Sequence, residues 1–240
     1  MGAQWKQAGR EAAALKRGQV VGKLVRELIV AAKLGGADPA LNARLAAAVE
    51  KARKSSVPRE TIERAIKKGS GQTDEPVTIE TVIYEGFTPH KVAVIVECLT
   101  DNRNRTAPDI RNLFKTGSLG APGSVAWMFD HVGLVEAHHA DAKQDLETVA
   151  IEAGAQNVEP WASEDVPEGH LGGRFFCDRP DLDAVSKYLR AAKWTIVTSE
   201  LTYQAKNPVE LSAAQHQEVV NFLNSVDDHD DVHRVYAALK

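Results

Sequence analysis

From Gln19 to Lys33, the apolar residues Leu24, Leu28, Ile29 and Ala32 interleave with Lys23, Arg26, Glu27 and Lys33. That spacing predicts a helix with one buried stripe and one wet face. Gly35-Gly36 interrupts it. Asp38-Pro39 reads as an N-cap and first-turn proline of a second helix, with Leu41, Leu45, Ala48, Val49 and Ala52 as packing positions before Ser55-Ser56. A third helix is predicted over Pro58–Lys68, packed through Ile62, Ala65 and Ile66 and stopped near Gly69. Thr73–Pro76 replaces helical periodicity with turn formers and marks a domain boundary.

Beyond that boundary the pattern turns β-rich. Val77–Tyr84 and Val92–Leu99 read as strands, Thr106 caps a helix through Lys115 with Asp109 completing a capping box, and Ser124–Phe129 returns to the sheet. From Val132 the order is strand 132–137, helix 141–152 capped by Asp141, strands 155–160 and 173–177, helix 181–191 and strand 194–203. This β-α-β-β-α-β order predicts a ferredoxin-like domain. After Asn207-Pro208, Leu211, Val219, Val220 and Leu223 supply helical packing positions, and Val232–Tyr236 is a short strand. The expected fold is α+β: a basic helical domain (1–75), a discontinuous mixed α/β domain (76–130 and 208–240), and a ferredoxin-like domain inserted at 131–207.

Charge sharpens this division. The chain has 240 residues, 43% of them hydrophobic, and a formal net charge of −4. Residues 1–75 nevertheless carry 15 basic and 8 acidic side chains, against 14 and 25 in the remainder. A +7 front is thus joined to a −11 rear, and the front would steer a polyanion toward itself. Val92–Val96 is far shorter than the roughly 20 apolar residues of a membrane span, and residues 1–20 contain no secretory-type apolar core. Cys98 and Cys177 form neither a ligand cluster nor a disulfide framework, so a cytoplasmic protein is expected, organellar only as a processed chain.

The candidate chemistry is binding. Lys6, Arg10, Lys16, Arg17, Lys23, Arg26, Arg59, Arg64, Lys67 and Lys68 can reach phosphates from helical stems, although spaced cations also serve ordinary solvated faces. In Asp101-Asn102-Arg103-Asn104-Arg105-Thr106, Arg103 and Arg105 can contact phosphates or stack on unpaired bases, with Asp101, Asn102, Asn104 and Thr106 positioning the loop. An Asp101–Arg pair with Asx turns explains the same residues structurally. Lys115 and the Gly-rich Gly117–Ser124 offer backbone donors to a phosphate or simply a tight turn, without the Walker A ending. His138-His139 with Asp141 and Asp145, and Asp227–Asp231 with His233, lack a complete metal-coordination pattern and read as turns. No metal and no cofactor is expected. Trp127 and Trp194 read as core strand residues, Trp5 as a helix anchor or partner contact, and Trp161 and Phe87 as turn residues that pack between domains or face a partner. Cys98 and Cys177, in strands, read as packing residues.

Taken in order, Glu27–Pro39, Val57-Pro58, Ile62–Gly69, Tyr84-Glu85-Gly86, Glu97–Thr106 and Gly117–Ala126 resemble the YebC/PmpR family of gene-expression regulators, which includes mitochondrial translational activators. The resemblance spans nearly the whole chain. It implies a helical N-terminal domain and two mixed α/β domains, the final segment returning to the middle one. It also implies a non-enzymatic regulator, described in the family both as a DNA-binding transcriptional regulator and as a ribosome-associated factor that helps elongation through difficult, including proline-rich, sequences. The expected partners are ribosomal RNA and the ribosome, with tRNA in reach, or duplex DNA in the alternative; the expected state is monomer or weak homodimer. The opening departs from the family pattern: Gly2-Ala3-Gln4-Trp5-Lys6 and Ala8-Gly9-Arg10 stand where Gly-His-Ser-Lys-Trp and an Ile-Lys-His cluster are usual.

Overall fold

The computed structural model describes residues 4–74, 79–163 and 165–240, with side chains from Arg17 onward. The side chains of Trp5, Lys6, Arg10 and Lys16, and part of the expected boundary at Thr73–Pro76 with the start of the strand at Val77, lie outside the described residues.

Three helices come first: α1 (Gln4–Gly35), α2 (Ala43–Lys54) and α3 (Arg59–Gly69). Their apolar faces close on one core of Leu24, Leu28, Ile29, Ala32, Leu45, Ala48, Val49, Ala52, Ile62 and Ala65, as the spacing predicts. Gly69 makes the close crossing of α3 on α1 possible. A Cβ there would stand 2.2 Å from the Ile29 carbonyl oxygen and 2.9 Å from Ala32 Cβ. Gly69→Ala is therefore expected to destabilise the chain by about 1–3 kcal/mol through overpacking, measured by chemical denaturation.

The second helix does not start where Asp38-Pro39 suggests. Asp38 accepts a 2.9 Å bond from the Ala40 N–H within a turn, and Leu41 is 73% exposed. The N-cap is Asn42, whose Oδ1 accepts from Leu45 N at 3.0 Å while its Nδ2 donates to the carbonyls of Ala31 and Gly36, each at 2.9 Å. An amide both donates and accepts, so one buried side chain satisfies the end of α1 and the start of α2; a carboxylate could do only the second.

The remainder builds two four-stranded antiparallel sheets. The first has the order β3-β1-β2-β8, from β1 (Glu80–Phe87), β2 (Ala93–Thr100), β3 (Ser118–Leu119) and β8 (Val232–Ala237). Helices α4 (Arg103–Leu113) and α7 (Ala213–Asp227) cover one face through Val82, Val94, Val96, Ile110, Phe114, Phe222 and Val226. Phe114 and Phe222 meet edge to face at 5.2 Å. The second sheet has the order β5-β6-β4-β7, from β4 (Phe129–His139), β5 (Asn157–Pro160), β6 (Leu171–Cys177) and β7 (Thr195–Ala205). Val135 and Ala137, and Phe175 and Cys177, obey the two-residue strand period and face α5 (Leu146–Ala153) and α6 (Leu182–Ala191). The sheets meet through Ile95, Val125, Phe129, Tyr203 and Tyr236. Among the described residues no helix is long and apolar enough to cross a membrane.

Several sequence expectations shift by local chemistry. Asp145, not Asp141, caps α5, accepting from Thr148 N at 3.2 Å; Asp141 instead accepts from Lys143 N at 3.0 Å in the preceding turn. Helix α7 starts only after Leu211, where Ser212 and Gln215 form a capping box. Residues 126–128 form a single 3₁₀ turn rather than strand, which leaves Trp127 69% exposed instead of in the core. Trp194 is buried as expected but precedes β7, edge-on to Phe175 at 5.2 Å. Trp161 is buried, and Phe87 belongs to β1 rather than a turn.

Candidate nucleic-acid interface

The segment Asp101–Thr106 is mostly helix. Asn102 is the N-cap of α4, its Oδ1 accepting from Arg105 N at 3.2 Å, so Arg103, Asn104 and Arg105 form the first helical turn rather than an open loop. Thr106 is neither cap nor loop residue. It is fully buried, and its hydroxyl lies 2.8 Å from Thr100 Oγ1 and 2.7 Å from Asp231 Oδ2. The capping-box expectation fails because Asn102 already starts the helix four residues earlier, so the Asp109 N–H that a Thr106 cap would need lies inside α4.

Asp231 is the anchor here. Its carboxylate is 2% exposed and is met by Arg105 at 3.0 Å and Arg26 at 3.3 Å. Burial pushes its pKa up, but Thr106, Arg105 and Arg26 together outweigh burial and hold it below the usual carboxylate value. Arg105 also pairs with Asp101 at 3.2 Å, as the structural reading of this segment expects. The hydrogen bond to Asp231 is the main reason the guanidinium pKa is raised. Arg103 reaches outward, 62% exposed and 3.8 Å from Glu80.

The run Asp227–Asp231, which ends α7 and leads into β8, docks on α1. Lys23 donates to the Asp227 carbonyl and Arg26 to the Asp230 carbonyl. Three of the expected phosphate contacts, Lys23, Arg26 and Arg105, are thus held by one acidic turn.

A second ionic group joins the three parts of the chain. Arg234 of β8 contacts Glu200 of β7 at 2.5 Å and Glu27 of α1 at 3.6 Å. Burial alone would lower the Arg234 pKa, but Glu200 and Glu27 outweigh it and raise the value. His233 is buried beside Glu27 at 4.0 Å. Burial first, then Arg234, Arg44, Lys51 and Lys23, push its pKa down to about 2, so the ring is neutral. Among the described residues, Glu27, Glu200 and His233 form the one group of three metal-type ligands, their atoms within 4.8 Å of one another. Arg234 already supplies the positive charge between the two carboxylates, and a metal would have to displace it.

The Gly-rich connection presents its donors inward. Glu85 Oε1 accepts from Gly123 N at 2.6 Å, and Oε2 accepts from Val125 N at 2.9 Å and Ala126 N at 2.8 Å. Gly123 turns at φ +87°, a conformation that costs glycine little. These amides serve a carboxylate of the same chain rather than an external phosphate, and they hold the backbone in the turn that exposes Trp127. Both cysteines are buried and free, their thiol pKa values pushed by burial up to about 12 for Cys98 and about 11 for Cys177, which fits packing rather than nucleophilic roles.

Cations that face outward remain. Arg17, Arg64, Lys67 and Lys115 are exposed; Arg59 is 90% exposed and pairs with Glu63 at 2.7 Å; Lys68 is half-buried. Arg53 and Arg111, which sequence reasoning did not place among the principal contacts, are exposed as well. Glu27, Glu85, Glu200, Asp231 and Arg234 organise the site and were also missed. Glu27, Glu85 and Asp231 had a local signal, in Glu27–Pro39, Tyr84-Glu85-Gly86 and the acidic run, although Glu27, expected on the wet face of its helix, is buried.

The fold and site define a basic three-helix unit tied by ion pairs to two antiparallel sheets. The chain belongs to the YebC/TACO1 family of probable transcriptional regulatory proteins: residues 2–72 match "TACO1/YebC protein N-terminal domain" and residues 79–239 match "TACO1/YebC second and third domain". It is 51% identical over 243 residues to a "Probable transcriptional regulatory protein" of Polaromonas sp., covering 100% of this chain and 99% of the relative. A protein of the same name from Pseudomonas fluorescens is 52% identical over 241 residues, with the same coverage. Among solved structures, a conserved hypothetical protein, Aq1575 from Aquifex aeolicus, superposes with a TM-score of 0.77 at 36% identity, over 94% of this chain and 90% of that one. These relatives carry the name probable transcriptional regulatory protein, a regulatory rather than an enzymatic description.

Proposed function

We propose that this chain is a nucleic-acid-binding regulator of gene expression that acts on transcription through duplex DNA in the cytoplasm. The observation that carries the reading is the set of exposed cations on the helical unit, with Arg64 and Lys67 one turn apart on α3, Arg59 at its start and Arg17 on α1. Lys115 and Arg103 extend positive charge onto α4 and its end. The names of the relatives favour transcription. Replacing Arg59, Arg64 and Lys67 together by Ala is expected to weaken duplex binding and to flatten its salt dependence by about 0.9 log unit per lost phosphate contact. Unchanged affinity and slope in the folded variant would count against these cations. In-cell crosslinking with separate sequencing of DNA and RNA tests the target: recovery of promoter duplex supports transcription, and predominance of ribosomal RNA overturns it.

The second reading is a ribosome-associated translation factor that binds ribosomal RNA, with tRNA in reach, and relieves pausing. Its specific support is Trp127, an exposed indole whose Nε1 donates to the Ser124 carbonyl at 3.1 Å and whose ring is available for an unpaired base.

The same proposal divides the chain into a helical unit (1–75), a middle unit (76–130 with 208–240) and a ferredoxin-like insertion (131–207). The pairing of β8 with β2, and the strand order β5-β6-β4-β7 with α5 and α6 on one face, support that division.

A further inference from the structure

The turn that grips the basic front offers the oxygens a phosphate backbone would. Lys23 and Arg26 receive main-chain carbonyls of Asp227 and Asp230, while Arg26 and Arg105 share the Asp231 carboxylate. Asp227 is the last residue of α7, so its carbonyl lies at the negative end of the helix dipole. Asp227, Asp228 and Asp230 are exposed and add negative charge around the contact.

Two further observations set the cations of this contact apart from those of a fully buried ion pair. The cations remain within reach of solvent, with the Arg105 side chain 50% and that of Arg26 26% exposed. Cavities of about 440 and 490 Å³ flank the turn, one lined by Lys23, Asp227 and Asp228, the other by Arg26, Arg105 and Asp230. Among the described residues, the apolar core of α1–α3 takes only Ile79 from the rest of the chain, so Lys23 and Arg26 meet the turn across a polar seam rather than a shared core.

We propose that the acidic turn Asp227–Asp231 is a built-in competitor for the polyanion, holding Lys23, Arg26 and Arg105 in a closed state and releasing them when phosphates take its place. The inference rests on the nucleic-acid-binding reading and adds a regulatory state to it. In the closed state binding uses the outward cations alone. In the open state the three released cations join them, and the number of phosphate contacts rises.

The test uses the full chain with a short DNA duplex and an RNA oligonucleotide of matched length. Asp231→Asn removes the charge that holds Arg26 and Arg105. Binding is expected to tighten by about fivefold or more, with a steeper salt dependence of about 0.9 log unit for each duplex phosphate gained. Hydrogen exchange on the unaltered protein provides a readout that does not depend on how the variant folds. The amides of Asp231 and Val232, bonded to His229 Nδ1 and the His229 carbonyl at 3.1 Å each, are expected to exchange faster in the complex than in the free chain. Binding that leaves these amides equally or more protected overturns the competitor and leaves the nucleic-acid reading standing. Binding to neither probe overturns both, and a flat isotherm identifies that case.

Discussion

Replacing Arg234 by Met is expected to lower the free energy of unfolding by about 3–5 kcal/mol, the scale for removing one partner of a buried ion pair. The Glu200 and Glu27 carboxylates it contacts are only 12% and 9% exposed, and the variant leaves both without their shared cation. The loss comes from stranded charge more than from a missing attraction. Combining Arg234→Met with Glu200→Met should therefore recover much of the deficit, because well-packed apolar groups replace the pair and only Glu27 keeps its charge. Chemical denaturation of the two variants measures this. A double variant no more stable than the single one would show that the stranded Glu200 charge is not what destabilises the single variant. Because Arg234, Glu200 and Glu27 come from β8, β7 and α1, the single variant should also lose the cooperativity with which these elements unfold, seen as a lower denaturant slope.

The second large effect is expected at Glu85. Glu85→Ala leaves the Gly123, Val125 and Ala126 amides without their acceptor, and a loss of about 3 kcal/mol follows from the cost of unsatisfied donors. Glu85→Gln should cost less, since one oxygen still accepts. The effect depends on pH. Burial pushes the Glu85 carboxyl up, but the three amide donors together outweigh it and hold the pKa below its ordinary value. A group with a lowered folded pKa contributes fully above its unfolded pKa, and that contribution disappears as pH falls through the folded value. The unaltered chain should therefore lose this increment on acidification, whereas Glu85→Ala should show a correspondingly flatter acid limb. An identical acid limb in both would remove Glu85 from the account. Because the same contacts shape the turn, Trp127 fluorescence should change in the variant at neutral pH.

The elements were legible wherever one period dominated. The stripe Leu24, Leu28, Ile29 and Ala32 and the alternation of Val135 and Ala137 both reach the cores their spacing implies, because a buried face constrains every third or fourth residue of a helix and every second of a strand. Caps were harder. Asp38, Thr106 and Asp141 all have suitable side chains, yet Asn42, Asn102 and Asp145 cap the helices, since the choice turns on which neighbouring carbonyls and amides need a partner. Trp127 misled for a similar reason: a strand-like sequence is held in a turn by a carboxylate some forty positions earlier.

Among the binding candidates, charge could be counted along the chain but its availability could not. The +7 front and −11 rear were explicit in the residue list, as were the family motifs and the alternation of strands and helices. Which cations stay outward was decided only when the chain folded and brought Asp231 to Arg26 and Arg105, and Glu200 and Glu27 to Arg234. Periodicity is a local property, enforced by the geometry of each helix or strand. Charge pairing acts through space between residues far apart in the sequence, and burial decides how strongly each pair is felt.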